Sequence, residues 1–194
     1  MWGNKMLSAV FSLAEMLAEG FKMPADTFTS RMHCGPHLLA PTGSDYNRFG
    51  ELGTVLAGYH YDLNFMTIHG KSRYPGLNVW TRDGKKTAVA VPEGCLLVQA
   101  GKQLEYYTGG HVLAGFHEVV VTPLTVEVMK TRKAANKSMW RVSSTLFSHM
   151  QSDQILTPLP PFDTPEALAK WSAIPAGEQV RNELMAINLE KEKK

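Results

Sequence analysis

Cysteine is scarce in this chain of 194 residues: Cys34 and Cys95 are the only two, far apart and outside any CxxC pattern. Two such thiols make neither a disulfide framework nor a zinc knuckle, and they fit a reduced, cytoplasmic protein. Excess charge of one sign is lacking too. The 20 basic residues stand against 18 acidic ones, a formal net charge of +2, which argues against a nucleic-acid partner or a membrane surface, where basic charge would gather in a patch. The one charge run, Glu190-Lys191-Glu192-Lys193-Lys194, reads as a solvated helix end. Long apolar runs are missing: Glu15 interrupts the N-terminal stretch MWGNKMLSAVFSLAEMLAEGF, which is too short and polar to span a membrane and reads poorly as a signal peptide. Internal repeats and low-complexity segments are absent as well. What remains is a chain with 44% hydrophobic residues, enough for one globular domain with its own core.

The apolar residues Met6, Val10, Leu13 and Leu17, flanked by Leu7, Phe11, Ala14 and Ala18, have helical spacing, which predicts a helix over residues 5–19 with Gly20 as its stop. A short turn or helix is expected after Pro24. From about Leu38 the texture changes to short β-prone segments separated by turn residues. These segments include GTVLAGYHYDLNFMTIHG, GLNVW, KTAVAV, CLLVQA, QLEYYT, HVLAGFHEVVV, TVEVM and MWRVSSTLFSHM, and Asp83-Gly84 is a strong hairpin signal. Many short strands at regular spacing predict a sandwich or barrel. After Met150 the proline-rich LTPLPPFDTP is extended; Asp163 or Thr164 caps a helix running to Trp171, and EQVRNELMAINLEKEKK reads as a final helix.

Within the β-prone region, YHYDLNF sets His60 and Asp62 two residues apart. In a strand, residues i and i+2 share a face, so an imidazole and a carboxylate project together. Such a pair alone is more often a simple hydrogen-bonded contact; a metal site needs a third ligand. The other histidines are His33, His37, His69, His111, His117 and His149, and His117 lies in a β-rich segment far enough downstream for the chain to return. Two histidines and one carboxylate on one face of an octahedral metal leave three positions open, the arrangement of non-haem Fe(II) oxygenases. His69, His111 and His149 read as hydrogen-bonded or exposed, Tyr59, Tyr61 and Phe65 as sheet packing, and Lys71 and Arg73 as a solvated loop.

Residues 101–119, GKQLEYYTGGHVLAGFHEV, resemble the G-D-x-L-E-x-x-T-N-G-x-x-x-S-x-x-H-R-V segment of the isopenicillin-N-synthase-like 2-oxoglutarate/Fe(II)-dependent dioxygenases, matching at Gly101, Leu104, Glu105, Thr108, Gly110, His117 and Val119. Upstream, His60, Asp62, Thr67, Gly76, Leu77 and Val79 match the family's H-x-D-x-x-x-x-T-x-L and the following G-L-Q-V. Downstream, Arg141, Ser143 and Phe147 match its R-x-S-x-x-x-F. The resemblance covers about residues 36–150. It implies a double-stranded β-helix, or jelly roll, of the clavaminate-synthase-like fold, mainly β with flanking N- and C-terminal helices. It implies Fe(II) on His60, Asp62 and His117, and 2-oxoglutarate as co-substrate with its distal carboxylate on Arg141 and Ser143. The family consumes 2-oxoglutarate and O2, releases succinate and CO2, and hydroxylates, desaturates or cyclises a small organic molecule.

The chain departs from the family at several points. Glu118 stands where the family has arginine, Gly109 where it has asparagine, and HLLAPTGSDY where it has N-Y-x-P, whose tyrosine often helps bind 2-oxoglutarate. The gap from His117 to Arg141 is longer than the family's short turn; TPLTVEVMKTRKAANKS is expected to fill it as an extended hairpin with Arg132 and Lys133 near its tip, which makes Arg132 a rival for Arg141. The start at Met1 lies almost on the first helix, so a single oxygenase domain over residues 1–194 is expected, lacking the family's N-terminal region, with a core at 36–150 and a helical tail at 151–194. Two other readings stand beside the main one: a family member using iron and O2 without 2-oxoglutarate, its Arg-x-Ser holding the substrate's own carboxylate, and a non-catalytic jelly-roll binding module.

Overall fold

The structure, a computed structural model, describes residues 1–187. Helix α1, Trp2–Gly20, buries Met6, Val10, Ala14 and Ala18. That i, i+4 stripe is why the segment is a helix and fixes which side it turns to the sheet. A 3-10 turn at Ala25–Thr27 and the short α2, Thr29–Met32, follow. The chain then lays down β1 (Leu38–Asp45), α3 (Tyr46–Phe49), β2 (Val55–His60), β3 (Met66–His69), β4 (Leu77–Trp80), β5 (Lys86–Ala88) and β6 (Leu97–Ala100). After α4 (Lys102–Tyr107) come β7 (His117–Val120), α5 (Pro123–Ala134) and β8 (Trp140–Ser148). The C-terminal part adds β9 (Ile155–Leu156), α6 (Pro165–Lys170), β10 (Ile174–Pro175) and α7 (Ala176–Ala186). The expected charge run at 190–194, and the end of the helix reaching it, lie outside the described residues.

Eight strands form two four-stranded antiparallel sheets, ordered β1-β8-β3-β6 and β2-β7-β4-β5, and β9 and β10 pair as a small two-stranded sheet. This is the jelly roll with flanking helices that the family resemblance implies; the short strands alone predict a sandwich or barrel. The two sheets divide the work of their faces. On the first sheet Met66, Ile68 and Leu146 join the α1 stripe, Phe28, Phe65 and Tyr107 in one core. The alternate residues His69, Arg141, Ser143, Thr145 and Phe147 line a cavity between the sheets. Period-two alternation thus gives β3 and β8 one face for stability and one for chemistry. The Asp83-Gly84 turn joins β4 to β5, with Gly84 at φ +79°, a conformation open to glycine. Thr164 caps α6 by accepting from the Ala167 N–H, and Trp171 ends it.

Two expected strands are helices. QLEYYT forms α4, in which Gln103, Leu104 and Tyr107 are buried; six residues are too few for composition to separate period two from period 3.6. TVEVM lies in α5 rather than a hairpin. Thr122 caps that helix reciprocally with Thr125, Pro123 starts it, and Thr125 and Met129 face inward one turn apart. The Thr-Pro start signal outweighs the β-branched residues.

Candidate active site

His60 is the last residue of β2 and pairs across the sheet with His117, the first residue of β7. The two imidazole centroids are 4.2 Å apart. The shared strand face expected for His60 and Asp62 is therefore corrected: β2 ends at His60, and Asp62 follows in a turn. Its backbone carbonyl accepts from the Lys102 N–H at 2.8 Å. Cross-strand pairing, rather than i, i+2 spacing, brings the two imidazoles together. Asp62 Oδ1 lies 4.0 Å from His60 Nε2 and 3.9 Å from His117 Nε2, and the three residues offer ligand atoms all within 4.8 Å of one another.

The protonation of both rings is set locally. His60 Nδ1 lies 2.6 Å from the Gly58 carbonyl and His117 Nδ1 lies 3.1 Å from the Gly115 carbonyl. A carbonyl only accepts, so each ring carries its proton on Nδ1 and leaves the Nε2 lone pair free toward Asp62. Burial lowers the His117 pKa, against the pull of Asp62, and keeps the ring in the neutral, ligating form. Asp62 and His117 are buried and His60 is exposed, so the cluster opens outward on one side. Two imidazoles and one carboxylate are a donor set that fits Fe(II).

The segment before His117 is a positioning device. A Cβ on Gly101 would lie 2.1 Å from the Asn64 carbonyl oxygen, so only glycine allows α4 to start against the turn that carries Asp62. Glu105 is buried; its Oε2 accepts from the Ala114 N–H at 2.9 Å, while Lys102 donates to Oε1 at 2.6 Å. Thr108 donates to the Leu104 carbonyl at 2.9 Å and accepts from the Val112 N–H at 3.1 Å. Gly109 and Gly110 turn the chain with φ of +52° and +77°. The Gly, Glu, Thr and Gly of this motif are thus framework for His117.

A cavity of about 920 Å³ opens between the sheets, lined among others by Asp62, His69, His117, Arg141 and Ser143. Arg141 pairs in register with Ser44 of β1, is 9% exposed, and keeps its Nε buried without a partner. Burial lowers its pKa, opposed by the Tyr46 hydroxyl. Among the described residues no carboxylate forms an ion pair with it. A buried guanidinium without a protein anion is a receptor for an anionic ligand. Ser143 lies two residues on, on the same cavity wall. Arg132 is elsewhere: on α5 its Nε donates to the Tyr74 hydroxyl at 3.2 Å, and it does not line the cavity.

The remaining candidates separate. Phe65 is core, Tyr59 stacks on Phe116 at 4.5 Å, and Tyr61 donates to Glu183 at 2.9 Å. Lys71 and Arg73 do reach the cavity wall, Lys71 held by Glu93 at 2.8 Å. Glu118 turns the other way, to Asn78 and Lys86. Sequence reasoning gave no site role to His69, Gln99 and Thr145, which form a polar chain beside Asp62. For His69 the signal was available: it stands two residues after Thr67, on a strand that starts just after Asp62. For Gln99 there was none.

Comparison with known proteins places this geometry. The model of the 2OG-Fe(II) oxygenase superfamily matches residues 31–150. The 2-oxoglutarate-dependent dioxygenase phqC of Penicillium fellutanum is 27% identical over 176 residues, covering 87% of this chain and 48% of its own. A putative 2OG-Fe(II) oxygenase family protein from Caulobacter crescentus superposes with TM-score 0.76 at 26% identity, over 95% of this chain and 56% of that one. A full-length Neurospora crassa protein, solved in complex with alpha-KG and thymine, superposes with TM-score 0.79 over 96% of this chain and 55% of that one; at 20% identity the likeness is one of fold. The chain spans about half the length of each of these relatives.

Proposed function

The chain belongs to the 2OG-Fe(II) oxygenase superfamily, and we propose that it acts as a 2-oxoglutarate/Fe(II)-dependent dioxygenase on a small organic molecule, by hydroxylation, desaturation or cyclisation. One observation carries this reading. A single cavity holds both a three-residue cluster ready to ligate and a buried, unpartnered guanidinium. Together they fit a metal and a chelating anion.

His60, Asp62 and His117 would hold Fe(II), and Arg141 with Ser143 would hold the distal carboxylate of 2-oxoglutarate. So held, iron and 2-oxoglutarate would supply, with O2, the oxidising power of the reaction, with succinate and CO2 as by-products. The protein's own part is placement. The Gly58 and Gly115 carbonyls keep both imidazoles turned Nε2-first toward the metal position. Arg141 offers a planar fork that matches a carboxylate, and its burial strengthens the pairing. Leu56, Leu77, Val89, Leu97 and Val119 line the same cavity and give it apolar walls. A mostly apolar cavity with a few convergent polar groups suits a small organic substrate.

We read the chain as a single oxygenase domain with its core at 36–150, inside the matched 31–150, and a helical tail after it. None of the described helices is long and apolar enough to cross a membrane. Cys34 and Cys95 are free and exposed, which fits a reducing compartment such as the cytoplasm.

The test is anaerobic titration of apo-protein with Fe(II), then with 2-oxoglutarate. The expected result is near-stoichiometric iron binding, sharply weakened in His60→Ala, His117→Ala and Asp62→Ala, followed by a visible charge-transfer band. Equal iron binding by wild type and all three variants overturns the metal site. Iron binding without a band, and without succinate on exposure to O2, points instead to the 2-oxoglutarate-independent enzyme.

A further inference from the structure

His69 stands at the last position of the T-x-L motif, where a leucine is expected, and it faces the cavity rather than the core. Its strand neighbours hold it there, with Leu97 of β6 on one side and Thr145 of β8 on the other. Around it run four short contacts. Gln99 Nε2 lies 3.3 Å from Asp62 Oδ2 and 3.0 Å from His69 Nε2. His69 Nδ1 lies 3.1 Å from Thr145 Oγ1, and Thr145 Oγ1 lies 3.4 Å from Ser143 Oγ.

Elementary donor and acceptor rules give this chain one direction. Asp62 as an ionised ligand only accepts, so the Gln99 amide nitrogen must face it, and Gln99 orients its other N–H toward His69. His69 Nε2 is then an acceptor, and the ring proton sits on Nδ1. From there it is donated to Thr145, which leaves the Thr145 proton for Ser143 and the Ser143 proton for the cavity. We propose that His69 is a positioning residue: in its Nδ1–H tautomer it orders the protons from Gln99 to Ser143, so that Ser143 presents a hydrogen-bond donor to the anion held by Arg141. Burial holds the His69 pKa down to about 4, so the ring is neutral and has one proton to place. A leucine here would leave Thr145 and Ser143 free to turn either way, and a serine that points its lone pairs at a carboxylate repels it.

The ordering within the protein stands on its contacts alone; its purpose rests on the 2-oxoglutarate reading above, and the two are separable. The first measurement uses protein labelled with 15N-histidine and loaded with Zn(II). Long-range 1H–15N spectra should show His69 as the neutral Nδ1–H tautomer; an Nε2–H tautomer or an imidazolium overturns the proposal. The second is calorimetric titration of 2-oxoglutarate into the same Zn(II) protein. Ser143→Ala should weaken binding about tenfold in the wild-type background. In the His69→Leu background, already several-fold weaker, the same change should cost less than about twofold. His69→Asn keeps an N–H where Nδ1 stands and should recover most of the affinity; it also serves if His69→Leu fails to fold. An undiminished Ser143→Ala penalty in His69→Leu overturns the coupling. No 2-oxoglutarate binding by wild type defeats the co-substrate reading, while the tautomer spectrum still decides the proton order.

Discussion

A single polar contact decides what each residue of the site can do. The Gly58 and Gly115 carbonyls choose the tautomer of His60 and His117, and without them either ring could turn its proton toward the metal position. Arg141 is decided by the opposite circumstance, a buried Nε with nothing to bond. If that guanidinium receives the carboxylate, Arg141→Ala should weaken 2-oxoglutarate binding by on the order of ten- to hundredfold, the worth of a charge-assisted contact of about 1.5–3 kcal/mol. Iron affinity should hardly move. Arg141→Lys should recover only part, since an ammonium lacks the fork. Arg132→Ala should leave 2-oxoglutarate binding alone, because its guanidinium is engaged by Tyr74 and Ser138. The charge-transfer band of the anaerobic Fe(II) protein reads all three; loss of the band in Arg132→Ala but not in Arg141→Ala would show the anchor to be misplaced.

Between β7 and β8 the chain needs a long connection, and it uses a helix. α5 begins with the reciprocal Thr122 and Thr125 hydrogen bonds, 3.2 Å and 3.0 Å long. Removing the cap in Thr122→Ala should cost about 1 kcal/mol of stability, read as a lower urea midpoint. The turn before β7 is less forgiving. A Cβ at Gly110 would lie 2.3 Å from the Trp171 ring, at a φ of +77°. Gly110→Ala therefore strains the backbone and pushes on Trp171, so it should lower the midpoint by more than Thr122→Ala does. It should also weaken Fe(II), because the same turn leads to His117. Unchanged iron affinity in a folded Gly110→Ala protein would separate the turn from the site.

On the scale of the whole molecule, half-buried histidines make the fold sensitive to acid. Burial pushes His149, just beyond β8, down to about 4, and lowers His37 beside it. In the unfolded chain both titrate near about 6.5. Between those values the unfolded chain binds more protons, so stability is full above about pH 6.5 and falls as pH drops toward about 4. His149 alone should make the protein about 2 kcal/mol less stable at about pH 5 than at about pH 7. His149→Leu should flatten that slope in urea titrations at the two pH values. A slope as steep as the wild type's would mean that His149 is no source of it.

Several features were legible in the sequence because each rests on local order. Helical spacing at Met6, Val10, Leu13 and Leu17 marks α1, although the face it buries runs Met6, Val10, Ala14, Ala18; Asp83-Gly84 makes a hairpin, and the β-prone composition of TVLAGYH and RVSSTLF marks β2 and β8. The ordered set of His60, Asp62, His117 and Arg141 could be picked out for the same reason: motif spacing survives in one dimension. Tertiary structure decided what spacing leaves open. QLEYYT and TVEVM became helices because a close approach at Gly101 and a cap at Thr122 outweigh β propensity. His60 meets His117 through pairing between β2 and β7, not along one strand. Arg141 rather than Arg132 faces the cavity because β8 turns it inward opposite Ser44. Gln99, His69 and Thr145 come from three strands that no sequence window contains together, and a hydrogen-bonded chain exists only once the sheet sets those strands side by side.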